Sequence, residues 1–171
     1  ASIAFLTSIL NIIFLSNFLN EELFKFYLII CIPLILFLLF NFNFLKLPKI
    51  FLGDSGSLLL GFILSFLMII LYKYYSIHPI LLAWGVAFIV FEFLSVNILR
   101  AYSNKNIFKP GQDHIHHYLF FKTNSVFQSN MIMIAINILI STIGFLSFNY
   151  INELFSLIFY IFIFLFYLFL R

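Results

Sequence analysis

Charge is what this 171-residue sequence has least of: Asp, Glu, Lys and Arg together make up 9% of it. A soluble domain carries roughly 25% charged residues, so this chain could not cover a water-facing surface. Cysteine is nearly absent as well. The single Cys31 lies inside an apolar run, where it reads as a small buried hydrophobe that says nothing of redox compartment. No internal repeat and no soluble domain can be traced. The opening Ala1-Ser2-Ile3 has neither an initiator Met nor the basic-then-apolar pattern of a signal peptide, and the expectation is of a chain entered partway.

What is abundant is apolar bulk: 64% hydrophobic residues, 27 of them Phe, with a mean hydropathy of +1.16. At ~20 residues per crossing helix, the length allows about six spans with short connections. Six runs answer to that description: Ile3–Leu19, Phe26–Leu45, Leu58–Tyr74, Ile80–Leu99, Val126–Phe148 and Leu154–Leu170. The expected fold is therefore all-α, a single polytopic transmembrane bundle over residues 1–171. Pro33 inside the second run is positioned to kink it. The last two runs are separated only by a tight turn, Asn149 to Glu153. Phe, Tyr and Trp84 read as lipid-facing, packing or interface bulk.

The basic residues give an orientation. Lys46, Lys49, Arg100, Lys105, Lys109, Lys122 and Arg171 fall on one face of a six-span arrangement, against Lys25 and Lys73 on the other. Basic loops stay on the cytoplasmic side, which places both ends and the connections at about 46–57 and 100–125 inside. Those two connections hold nearly all the unusual chemistry. No nucleic-acid partner is expected; the lipid bilayer is.

The first connection ends in Phe51-Leu52-Gly53-Asp54-Ser55-Gly56-Ser57, directly before an apolar run. Asp54 or Ser55 can cap a helix starting near Ser57, and glycines let backbone N–H groups converge on an anion. Asp54 is also a hard oxygen donor suited to Mg²⁺, which commonly takes one or two carboxylates and leaves its other positions to phosphate and water. A plain helix cap and a metal–phosphate site both fit these residues.

The second connection holds Pro110-Gly111-Gln112-Asp113-His114-Ile115-His116-His117, with three of the four histidines in four positions. Imidazoles bind phosphate, shuttle protons or ligate metals. No cysteine pair or HExxH spacing supports zinc. Phosphate contact fits best, with Arg100, Lys105 and Lys109 as mobile counter-charges. Glu92, an acid inside the fourth span, marks either a polar contact between helices or the wall of an aqueous cavity shared with Arg100. His78 reads as a boundary residue.

With both motifs in view, the stretch from Ala1 to about Leu119 closely resembles the polyprenyl-phosphate N-acetylhexosamine-1-phosphate transferases. These are the glycosyltransferase family 4 enzymes related to phospho-N-acetylmuramoyl-pentapeptide transferase. The resemblance implies transfer of a sugar-1-phosphate from a UDP-N-acetylhexosamine to undecaprenyl phosphate with release of UMP, at a bacterial plasma membrane. It implies that Asp54 ligates Mg²⁺ (or Mn²⁺) and that His114, His116 and His117 act at the phosphate. Gly53, Ser55, Gly56, Ser57, Arg100 and Lys109 would contact substrate. The sequence departs from the pattern in three places. Glu92 stands where many relatives have Asp, Gln112 stands where a basic residue is common, and the run from Arg100 to Phe108 is slightly short. The paired-aspartate and Asn-rich Asp-Gly motifs that lie upstream in relatives are not in this sequence. The expectation is thus the C-terminal portion of a transferase, inactive alone, with a second copy of the chain as a candidate protein partner. A non-catalytic derivative of the family and a transporter subunit are the rival readings.

Overall fold

The computed structural model describes residues 21–41, 50, 52–107, 111 and 113–171. The expected span Ile3–Leu19, the end of the second span, and Lys46, Lys49, Lys109 and Gln112 lie outside the described residues. Among the described residues no strand occurs, and six helices follow one another: α1 (Glu21–Asn41), α2 (Gly53–Tyr75), α3 (Pro79–Tyr102), α4 (Ile115–Thr123), α5 (Val126–Tyr150) and α6 (Glu153–Phe169). The all-α expectation holds. Helices α2, α3 and α5 are each long and apolar enough to cross a bilayer, and α6 is a shorter apolar helix. The chain divides into two compact units, Ala1–Gly85 and Val86–Arg171, with α3 running through the boundary.

In the first unit, α2 buries one stripe, Leu60, Leu64, Leu67 and Leu71, spaced as one face of a helix. Leu58, Leu59, Phe62, Phe66 and Ile69 are exposed on the same helix. So much apolar surface left uncovered is stable in lipid and costly in water. The helix closes at Ser76, whose left-handed backbone (φ 52°) sends its N–H back to the Leu71 carbonyl. His78 then bounds α3: its Nδ1 accepts the Ile80 N–H at 3.3 Å, and Pro79 occupies the first helical position, where no N–H is needed.

In the second unit, α5 and α6 form a hairpin joined by Ile151 and Asn152. Ser147 and Ser156 are buried where the two helices meet, and their hydroxyls lie 3.0 Å apart. Small residues let helix backbones approach closely inside a membrane bundle. Ser125 caps α5 by accepting the Gln128 N–H at 3.4 Å. Helix α3 packs on α6 through fully buried Phe91, whose ring lies 4.9 Å from Tyr160, 5.3 Å from Phe164 and 6.1 Å from Tyr167.

Two expectations change. The stretch 100–125 is not all loop, because the histidines lead into α4, a nine-residue helix. It is about 13 Å long, too short to cross a bilayer, and it carries Leu119 as its buried anchor. The Gly53–Ser57 segment is likewise helical, being the first turn of α2.

Candidate active site

The Asp54 motif is built by the start of α2. Gly53 has φ 67°, a left-handed conformation open to glycine and costly for other residues. That turns the chain into the helix one residue ahead of Asp54. No side chain caps the helix, so the expected capping role of Asp54 or Ser55 is not formed. Leu52 occupies the cap position with helical backbone angles, and the Ser57 hydroxyl donates to the Asp54 carbonyl at 2.8 Å. Asp54 and Ser55 are exposed, with the Asp54 carboxylate in the first turn, where the positive end of the helix dipole favours an anion.

The histidine motif is built in the second unit around one carboxylate, that of Glu92 on α3. Its Oε1 accepts the backbone N–H of Ile115, the first residue of α4, at 2.8 Å and lies 3.2 Å from His114 Nδ1. Its Oε2 accepts the Tyr167 hydroxyl at 2.6 Å and the Arg171 guanidinium at 2.5 Å. Arg171 also donates to the Ser95 hydroxyl at 2.7 Å and to the Asp113 carbonyl. Glu92 is therefore both a link between helices and the anchor of the histidine segment. Its own shell is formed by α3, α4 and the end of α6.

Arg100 differs from its expected role as a mobile counter-charge. It is only 8% exposed and fixed in place: its Nε donates to Asp113 Oδ2 at 2.8 Å and its Nη1 to the Ile107 carbonyl at 3.2 Å. Lys105 reaches the other Asp113 oxygen at 3.8 Å from an exposed position. This hydrogen bond from Arg100 above all, opposed by some burial and helped by the charge of Lys105, holds the Asp113 carboxyl below its ordinary value. A Cβ at Gly111 would run into the Arg100 guanidinium and come within 2.8 Å of Asp113 Oδ2, so those side-chain ends would have to shift.

The three histidines form a row. The ring centroids of His114 and His116 are 5.6 Å apart, and those of His116 and His117 are 4.2 Å apart. Partial burial, then the neighbouring His117 and His114, pulls His116 down to about 4 although part of its ring stays exposed. A neutral imidazole at pH 7 follows.

A cavity of about 960 Å³ opens beside this cluster, and its walls show how the helices make it. Val96, Leu99, Arg100 and Ser103 come from the end of α3 and just past it. Ile136, Leu139, Ile140 and Ile143 come from α5, and Ile163, Phe166, Tyr167 and Leu170 from α6 and just past it. Each set runs i, i+3, i+4, i+7, so each of these helices contributes one face, and α4 adds Ile115, Tyr118, Leu119 and Phe121. The α5 wall is wholly apolar. Arg100, Lys105, Asp113, His114 and Arg171, with Ser103, Tyr118 and Tyr167, supply the polar part. An amphiphile with a hydrocarbon body and a small anionic head matches this division.

Among the described residues no three His, Cys, Asp or Glu side chains come together to hold a metal ion. Asp54 offers one exposed hard-oxygen donor, which fits a single protein ligand of Mg²⁺ completed by phosphate and water.

Residues 1–72, which include the Asp54 turn, match the family described as glycosyl transferase family 4. The chain is similar to the undecaprenyl-phosphate alpha-N-acetylglucosaminyl 1-phosphate transferase of Haemophilus influenzae, at 26% identity over 108 residues, 61% of this chain and 30% of that protein. It is similar to the protein of the same name from Pasteurella multocida at 28% identity over 108 residues, again 61% and 30% of the two chains. The one from Salmonella typhimurium is 32% identical over 71 residues, 40% of this chain and 19% of that protein. The resemblance read from the two motifs is borne out, and the chain spans about 30% of the length of the first two relatives. No solved structure matches it.

Tyr167, Arg171 and Asp113 went unnoticed in the sequence as members of the site. Tyr167 and Arg171 are four residues apart, one helical turn, at the end of an apolar helix. In the sequence Arg171 marks only topology, and Asp113 stands in the histidine motif with no role of its own.

Proposed function

We propose that the chain carries part of the site of a membrane phosphosugar transferase, which moves N-acetylhexosamine-1-phosphate from a UDP-sugar to undecaprenyl phosphate and releases UMP. One observation carries this reading: a largely apolar cavity walled by α3, α4, α5 and α6 meets the cluster of Arg100, Lys105, His114 and Arg171. The isoprenoid chain would lie along the Ile136–Ile143 face, and its phosphate at the histidine end. The similarity to the undecaprenyl-phosphate transferases supports the same assignment.

In this reading the acceptor phosphate oxygen attacks the β-phosphorus of the UDP-sugar, and the bond from that phosphorus to the bridging oxygen of UMP breaks. Buried Arg100 and the histidine row supply fixed positive and hydrogen-bonding groups near transferring phosphate, where preorganised donors lower the barrier. His116, neutral at pH 7, can accept a hydrogen bond or a proton. Asp54 would hold Mg²⁺ (or Mn²⁺), which neutralises diphosphate charge when bound. The active-site segments face the cytoplasm, where the basic residues concentrate.

The test is UMP release by membranes containing the natural polypeptide that carries this sequence, supplied with UDP-N-acetylglucosamine, undecaprenyl phosphate and Mg²⁺. Release is expected to require both substrates and to leave the sugar phosphate on the lipid. UMP release independent of the lipid, or transport of the sugar nucleotide without its cleavage, contradicts the reading.

A further inference from the structure

We infer that Glu92 is a positioning residue which fixes His114 as its Nδ1–H tautomer and so reserves Nε2 for the reacting phosphate. The inference rests on the phosphotransferase reading for the identity of that phosphate, but not for the tautomer. Glu92 Oε2 takes two donors, the Tyr167 hydroxyl at 2.6 Å and the permanently charged Arg171 guanidinium at 2.5 Å. A carboxyl so placed is held as the carboxylate, which can only accept hydrogen bonds. Its Oε1 already accepts the Ile115 N–H at 2.8 Å, so the ring nitrogen 3.2 Å away must carry a hydrogen. A bare nitrogen there would set one lone pair against another.

A neutral imidazole has one N–H, and placing it on Nδ1 leaves the lone pair on Nε2. The same Oε1 grips both the ring of His114 and the backbone of the next residue. Ring rotation and movement of the start of α4 are thus restrained together. His114 borders the cavity, and the rings of His116 and His117 continue the row from it. Orienting carboxylates of this kind set which histidine nitrogen is available, and at metal-binding histidines their loss typically costs ~10–100-fold in affinity or activity.

The experiment is ¹⁵N NMR of the histidine side chains of the natural polypeptide in lipid nanodiscs above pH 7. His114→Asn identifies the His114 signals by their loss. The expected result is a pyrrole-type Nδ1 and a pyridine-type Nε2 for His114. In Glu92→Ala, His114 should shift toward the Nε2–H form favoured by unconstrained histidine, and Glu92→Asp should restore part of the wild-type pattern. Tyr167→Phe, which keeps Arg171, should shift it less. An Nε2–H form in the wild type overturns the inference, as does an unchanged tautomer in a helical Glu92→Ala protein. Should Glu92→Ala fail to fold, the wild-type spectrum alone decides.

Where the transferase assay is positive, Glu92→Ala should lower kcat by ~10–100-fold with little change in KM for the UDP-sugar. An inactive protein with Nδ1–H His114 would refute the transferase and keep the positioning. An active one with Nε2–H would do the reverse.

Discussion

At the scale of single residues, the second unit is held by charges that have been withdrawn from water only where a partner waits. Arg100 is the clearest case, since its buried guanidinium meets Asp113 and the Ile107 carbonyl, and Gly111 leaves the room for it. Gly111→Ala should push the Arg100 guanidinium off Asp113 and lower the melting temperature, measured by thermal unfolding in nanodiscs. The pH dependence follows from two neighbours. An unfolded chain protonates His116 near 6.5, whereas the folded protein does so only near 4. Acidification between those values therefore favours the unfolded state and lowers the melting temperature. Asp113, held below its ordinary 3.8, contributes stability above that value and loses it as pH falls through its lowered folded value. Melting scans from pH 8 to 3 check both, and His116→Gln should flatten the upper part of the curve. None of this was legible from residue types alone: Asp113 and His116 were visible, but not that Arg100 is buried against Asp113 or that the histidine rings stack in a row.

At the scale of elements, apolar run length located helices well and helix starts poorly. The runs beginning at Leu58, Ile80, Val126 and Leu154 became α2, α3, α5 and α6 with ends moved by a few residues, because continuous apolar sequence in a membrane has no alternative to helix. The starts moved because polar residues of a helix look like loop. Gly53 to Ser57 form the first turn of α2, and Ile115 to Thr123 form α4. Gly53 is the residue that sets the first of these. Gly53→Ala forces a left-handed backbone on a residue with a Cβ, which costs roughly 1–2 kcal/mol. It should lower the melting temperature and displace Asp54, so the metal dependence of UMP release should shift to higher Mg²⁺. An unchanged Mg²⁺ dependence would separate Asp54 from the metal.

At the scale of the whole molecule, composition was enough to exclude a soluble fold, and two short motifs were enough to point to a family. The cavity was not legible, because it is made by faces of four helices whose packing no single run reveals. Glu92 was legible as an anomaly, an acid inside a span, and its meaning emerged only from the four groups that converge on it. The central claim is that the Asp54 turn and the histidine row serve one phosphosugar transfer. It is tested most directly by UMP release from UDP-N-acetylglucosamine in the presence of undecaprenyl phosphate and Mg²⁺. Wild type, Asp54→Asn and His117→Ala proteins of the natural polypeptide, inserted in membranes at equal amounts, would be compared. Loss of UMP release by ~100-fold or more in both variants is expected, the scale set by removing a single transition-state stabiliser. Near-wild-type release in either one would contradict it.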